Sequence, residues 1–289
     1  MNTRFLIAVV LTGAFVVAAQ GQVSNVLDGA YVKETNITKR VVPYPALREA
    51  DVMYTKRVWR QMDLKEKMNH QFYYPIQPIM DRKSLFDVMR TALIEEGTLV
   101  AYGTGPVGTD DEFKYPLSAA QVDSLLNVKT EKQVDSNLDG EIGDDDEWVT
   151  TTNSITSDQI LYYQIKEDWI WDRHRSERYV RIIGIAPMYE RAIGDGDEAQ
   201  KVVQPLFWLY YPECRYVFAN AEAFNPFNDA QRRTFEDIFQ KRYFASYIVK
   251  ESNVYDRKIS DYARGVDGLL EAERIKDDLF TLEHDLWHY

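Results

Sequence analysis

The chain has 289 residues, 45% hydrophobic and 28% charged, which suits one or two globular domains and excludes a disordered polymer. Its 34 basic and 46 acidic side chains leave a net charge of −12, which argues against nucleic acid and against bare anionic lipid as partners. The single cysteine, Cys214, cannot close an intramolecular disulfide, so stability must come from the core.

The chain opens MNTRFLIAVVLTGAFVVAAQG. Arg4 supplies a positive start, Phe5 to Ala19 an apolar run, and small residues follow. This pattern predicts a secretory signal peptide over 1–21, too short for a comfortable membrane span. No cysteine adjoins the cut, so no lipid anchor is expected there. Residues 22–44 show little periodicity and read as an extended N-terminal arm.

The body, 45–289, reads as a single α+β domain, an antiparallel sheet flanked by helices. Leu47, Ala50, Tyr54 and Val58 recur at spacings of three and four, which predicts a long amphipathic helix over ALREADVMYTKRVWRQMDLKEKM. RKSLFDVMRTALIEEG predicts a second helix ended by Gly97, and TLVAY a short strand. LSAAQVDSLL predicts a short helix capped by Ser118. From about 129 to 157 the chain is polar and acidic, an insertion on the surface.

ILYYQIKEDWIW, YVRIIGIAPMY and QPLFWLYYPECRYVF are rich in β-branched and aromatic residues and predict three strands. NDAQRRTFEDIFQKRYFASYIV predicts a helix capped at Asn228 or Asp229, with Phe235, Ile238, Phe239 and Tyr243 on one face. The C-terminal LLEAERIKDDLFTLEHDLWHY predicts an amphipathic helix. Its seam is Ala272, Ile275, Leu279, Leu282, Leu286 and Tyr289, expected to lie against the protein's own sheet.

Five motifs could carry chemistry. Gly103, Gly105 and Gly108 make a GxGxxG, but Pro106 interrupts it and three carboxylates follow, which disfavours a pyrophosphate. His284 and His288 lie one helical turn apart, the spacing of two zinc ligands, and would serve a metal-dependent hydrolase. Asp285, however, stands where a zincin has Glu. Glu167 and Asp168 adjoin aromatics, yet neighbours in a strand face opposite ways. Cys214 in YYPECRYVF reads as a buried small residue rather than a nucleophile.

The most motif-like stretch is DSNLDGEIGDDD. Asp135, Asn137, Asp139 and Asp146 fall at positions 1, 3, 5 and 12 of a calcium loop, with Gly140 at 6. Position 12 lacks the longer Glu, and the following WVTTTNSITSD cannot continue a helix. A solvated loop is the favoured reading, and a periplasmic calcium-binding protein the alternative. Calorimetry at millimolar calcium on wild type and Asp135→Ala separates the two: absence of heat removes calcium binding. No residue is assigned as catalytic or cofactor-binding.

Longer stretches are more specific: KRVVPY (39–44), LREADVMYTKRVWR (47–60), RKSLFDV (82–88), VRIIGIAPMYE (180–190), PLFWLYYPE (205–213), NDAQRRTFEDIFQKRYFASYIVKESNVYDRKI (228–259) and LLEAERIKDDLFTLEHDLWHY (269–289). Together these closely resemble the GldN/PorN family of Bacteroidota, from about Gly29 onward, with lapses around 103–115 and 129–157. The resemblance implies a non-enzymatic structural subunit of the type IX secretion and gliding-motility apparatus. It implies a periplasmic location at the inner face of the outer membrane, through a GldK/PorK-type lipoprotein. Self-association in a ring and contact with a GldM/PorM-type motor component are implied as well. No cofactor, nucleic acid or membrane span is expected.

Overall fold

The two runs richest in β-branched and aromatic residues form the middle of the sheet. They are β6 (Ile160–Asp172) and β7 (Glu177–Ile193), paired antiparallel over most of their length. The computed structural model describes residues 39–79, 82–106, 108, 110–134, 147–193, 200–228 and 230–285. Within them, β1 (Val52–Asp63) lies beside β6, and β12 (Tyr247–Glu251) beside β1. On the other side β9 (Trp208–Tyr210), β2 (Ala101–Gly103) and β3 (Tyr115–Leu117) continue the sheet, while β8 (Gln200–Pro205) pairs with the far half of β7. Every pairing in this sheet is antiparallel.

Register sorts the side chains onto two faces. Val58, Arg60 and Met62 stand opposite Glu167, Ile165 and Tyr163, and these continue to Ile182 and Ile185 on β7. The helices cover this face. They are α1 (His70–Tyr73), α2 (Leu85–Arg90), α3 (Ala119–Leu126), α4 (Tyr211–Asn220) and α5 (Phe235–Gln240). Phe72, Leu85, Phe86, Met89, Val122, Leu126, Phe218, Phe235 and Phe239 meet Met62, Tyr163, Ile165 and Ile185 in the main core. The C-terminal helix α6 (Val266–Asp285) covers the other end with Ala272, Ile275 and Leu279, against Val58, Trp169, Trp171 and Ile248. The expected seam is thus spent on the protein's own sheet; Leu286 and Tyr289 lie outside the described residues.

Three expectations are corrected. The stretch read as a long helix from Ala46 is strand β1, preceded by a 3-10 turn at Glu49–Asp51. Its Lys, Arg and Met content favours helix, but Trp59 and Val58 are both buried, one on each face of the sheet, and ladder pairing on both sides overrides propensity. The third predicted strand, 204–218, holds only the last two residues of β8 and all of β9; from Tyr211 the chain is α4, with Pro212 in its first turn and Glu213 beside it. Proline is tolerated there because the first N–H groups have no intrahelical partner. The predicted helix over 228–249 splits into β11 (Arg233–Thr234, paired with β10, Glu222–Ala223), the short α5, and β12. Its cap is Thr234 rather than Asn228: Thr234 Oγ1 accepts from Asp237 N, and the Asp237 carboxylate accepts from Thr234 N. Asp229 lies outside the described residues. Tyr243 follows Arg242, whose φ is +53°, and is half exposed rather than on the buried face.

Other elements match. Gly97 stands just past the turn Thr91–Glu95 that continues α2, at φ +62°. Ser118 caps α3 with Gln121 in a capping box. The acidic insertion begins and ends as a two-stranded ribbon of β4 (Asn127–Val134) and β5 (Glu147–Ser154).

The opposite face of the sheet is crossed by the chain after β2. Phe113, at φ +58°, meets Tyr102, Trp208 and Tyr210 edge to face. Asp111 accepts from Trp59 Nε1 and pairs with Lys166 at 3.3 Å. Glycine is needed beneath: a Cβ on Gly184 would lie 2.6 Å from Phe113 Cζ and 3.2 Å from Trp208 Cε3. We expect Gly184→Ala to cost about 1–3 kcal/mol in urea unfolding. In a Phe113→Ala background the same change should cost clearly less, because the colliding ring is gone.

Candidate functional surface

The residues that sequence reasoning set aside for chemistry do not converge. Gly103 belongs to β2, and Gly105 and Gly108 have φ of +68° and +74° in the turn that carries Asp110 and Phe113 over the sheet. No helix opens at these glycines, so no row of free amides faces a phosphate; the next helix is α3, after β3. The loop serves as the cover described above.

Glu167 and Asp168 diverge, as strand alternation requires. Glu167 is fully buried, with Arg242 Nη1 at 2.9 Å and Trp169 Nε1 donating at 3.2 Å. Asp168 faces the other way and takes a two-pronged bond from Arg57, at 2.6 and 2.8 Å. Cys214 is buried in α4, and burial pushes its thiol far above the ordinary range, which removes the thiolate a nucleophile needs. His70, His174 and His284 sit on α1, on the β6–β7 turn and on α6. His288 lies outside the described residues, as do Asp135, Asn137, Asp139 and Asp146. β5 rather than a helix leaves the acidic segment, unlike the exit of a calcium-binding helix pair. Among the described residues no three His, Cys, Asp or Glu side chains are grouped to hold a metal.

What the fold does assemble is a strap. Residues 39–48 carry no helix or strand, and they run from α4 and α5 toward the start of β1. Lys39 N donates to Asn220 at the end of α4, and Lys39 Nζ pairs with Asp237 in the first turn of α5. The Val42 carbonyl accepts from Arg215 at 2.7 Å. The Tyr44 ring lies 3.9 Å from the Arg215 guanidinium carbon and 5.4 Å from that of Arg181. Arg181 and Arg175 then donate to the carbonyls of Pro45 and Ala46. Arg175 also pairs with Asp172, and β1 follows.

The anchor beneath the strap is ionic and buried. Arg215 Nε donates to Glu236 Oε1 at 2.7 Å, and Tyr211 Oη donates to Glu236 Oε2 at 2.9 Å; both members of the ion pair are about 5% exposed. Burial, then the Glu236 charge, pushes the Tyr211 hydroxyl well up and keeps it a donor. Burial alone would raise the Asp237 carboxyl, but the hydrogen bonds from Lys39 and Thr234 outweigh it and hold it below its ordinary range. Sequence reasoning missed this network. Thr234-Phe-Glu-Asp237 was a readable capping box, but nothing in the sequence links Arg215 to Glu236 or either to Tyr44.

Fold and site together define an α+β protein whose buried charges join elements: helix to helix, strap to helix, and loop to sheet. The chain belongs to the GldN family, described as gliding motility associated protein GldN, which matches residues 47–288. The comparison with curated proteins returned no match.

Two outcomes follow from the strap and its anchor. Arg215→Ala should cost about 3–5 kcal/mol in denaturant unfolding, because it strands Glu236 in the interior. Replacing both, Arg215→Met with Glu236→Leu, should recover most of that loss. For Asp237, the folded value is depressed, so its stabilisation is present above the unfolded carboxylate pKa and is lost as pH falls through the folded value. The melting temperature of Asp237→Asn should therefore lie below wild type at pH 7, and the gap should close in acid.

Proposed function

We propose that this GldN-family protein is a non-enzymatic structural subunit of a gliding-motility and type IX secretion apparatus. In this reading it resides in the periplasm and self-associates in a ring under the outer membrane. A GldK/PorK-type lipoprotein holds it there, and a GldM/PorM-type motor component touches it from the inner-membrane side. The family match across residues 47–288 is the observation that carries the proposal.

Among the described residues no helix is long and apolar enough to cross a membrane. One further observation supports the proposal. Large aromatic side chains stand exposed, Tyr216 on α4 and Phe227 in the loop between β10 and β11 among them, at 67% and 77%. Aromatic side chains are enriched at protein interfaces.

The test is extraction of a chromosomally tagged full chain in mild detergent. Co-elution with a lipoprotein in a very large, ring-shaped particle under the electron microscope is expected. Deleting the gene should abolish export of proteins with a C-terminal sorting domain. A monodisperse monomer from native envelopes, or unaltered secretion in the deletion strain, would overturn the proposal.

A further inference from the structure

The loop with Asp111 and Phe113 lies over Trp59, Lys166 and Gly184, at one end of the sheet's second face. The next rows of that face follow from register. Gln61 stands between Tyr247 and Gln164, and Tyr162 stands beside Met188. With Val203 of β8 and the segment 258–269 they line one groove of about 500 Å³.

Polar groups converge on this groove without partners. The amides of Gln61 and Gln164 and the hydroxyls of Tyr162 and Tyr247 are half-buried, yet none makes a hydrogen bond among the described residues. Nearby amides are spent: Asn69 and Gln71 donate to the carbonyls of Ala245 and Tyr243, both at 2.9 Å. Polar side chains turned inward are normally paired, and those left over mark a place where something else supplies the partner. Burial, then Tyr162, pushes the Tyr247 hydroxyl up to about 12, which keeps it a donor. The apolar part of the lining includes Met188, Val203 and Leu269, the last two 39% and 59% exposed. Its charges are Lys258 and Arg264, neither in an ion pair among the described residues. Among those residues no carboxylate lines the groove. Asp261, close by in sequence, turns back to accept from Lys258 N at 2.9 Å, and Asp63 and Glu66 act on Tyr247 from outside the lining. In a chain of net charge −12 this is a local reversal of sign.

We propose that this groove binds an extended acidic peptide segment of a partner protein. From β12 across β1, β6 and β7 to β8 there are four interstrand steps, roughly 19 Å, the span of about six extended residues. A peptide group offers one donor and one acceptor, and the amides of Gln61 and Gln164 meet both. Apolar side chains of the segment rest on Met188, Val203 and Leu269, and an Asp or Glu meets Lys258 and Arg264. A neutral oligosaccharide would leave both cations and the apolar floor unused. An anionic bilayer would be repelled by the net charge of the chain. Among the described residues a second copy has no free acidic strand to give: its strands are paired, and its strap carries Lys39 and Arg40.

The groove requires nothing of the assembly reading above, which stands or falls with the particle. Its test presents a library of random ten-residue peptides to the purified full chain. Enrichment of sequences that combine Asp or Glu with apolar residues is expected. Fluorescein-labelled forms of the enriched peptides, followed by anisotropy, should bind roughly tenfold more weakly to Gln61→Ala with Gln164→Ala. A loss of similar size is expected for Lys258→Glu with Arg264→Glu. The melting temperature should stay unchanged in both variants, because none of these four side chains is bonded within the chain. In the native envelope, a photo-crosslinking amino acid at Val203 should then form an adduct with an acidic segment of a different polypeptide. Enrichment of basic or neutral peptides, no enrichment, or binding indifferent to both pairs of substitutions would overturn the site. So would the absence of an adduct, or adducts confined to a second copy, to glycan or to lipid.

Discussion

The carboxylate of Glu167 is the constraint around which the rest of the sheet is organised. It sits mid-strand in β6 with no exposed surface, between Ile165 in the main core and Trp169 beneath α6. A charge placed there costs several kcal/mol unless it is paired. Arg242 supplies the pair from just past α5, and Trp169 supplies a hydrogen bond from the same strand. The two apolar clusters are therefore joined through one ionic contact. To bring its guanidinium there, Arg242 takes a left-handed backbone, the same conformation that ends α5 and turns the chain toward β12.

The same device recurs at the other polar joints. Arg215 and Glu236 tie α4 to α5, and their guanidinium forms the bed for Tyr44. Lys166 and Asp111 tie the loop after β2 to the sheet, beside Trp59 and Phe113. In each case a charged group brings a segment without regular structure onto a regular one. A buried ion pair adds little net stability over apolar side chains of the same size, but it penalises every arrangement that leaves one partner alone. That is a means of holding one geometry.

The legibility of the sequence varied with how local the deciding interactions are. Gly97, Ser118 and the α6 seam were readable because a cap or a helical stripe is settled within a few residues. β6 and β7 were readable because their β-branched and aromatic content is dense. β1 was not: Val58 and Trp59 are both buried because the sheet is covered on both faces at that point, by α6 on one and by the loop bearing Asp111 on the other. A strand buried on both sides loses its alternation, and its Lys, Arg and Met then read as helix. α4 was misread for the converse reason, since its aromatics serve a helix–helix core at Phe218 and Phe239. The candidate site was the least readable part. Tyr44, Arg215, Glu236 and Asp237 are joined only by chain reversals that no local pattern encodes.

By itself the sequence determined the α+β class, the two central strands, the capped short helices, the inward seam of the last helix and the family to which the chain belongs. These depend on propensity, periodicity and long stretches of specific residues, all written along the chain. Only the tertiary structure decided that β1 is a strand, that the glycine-rich turn carries a cover for the sheet, and that the strap lies on Arg215. It also decided that α6 keeps Leu270 and Phe280 outside. The physical reason is common to all four: which side of a segment is buried depends on what the rest of the chain places against it.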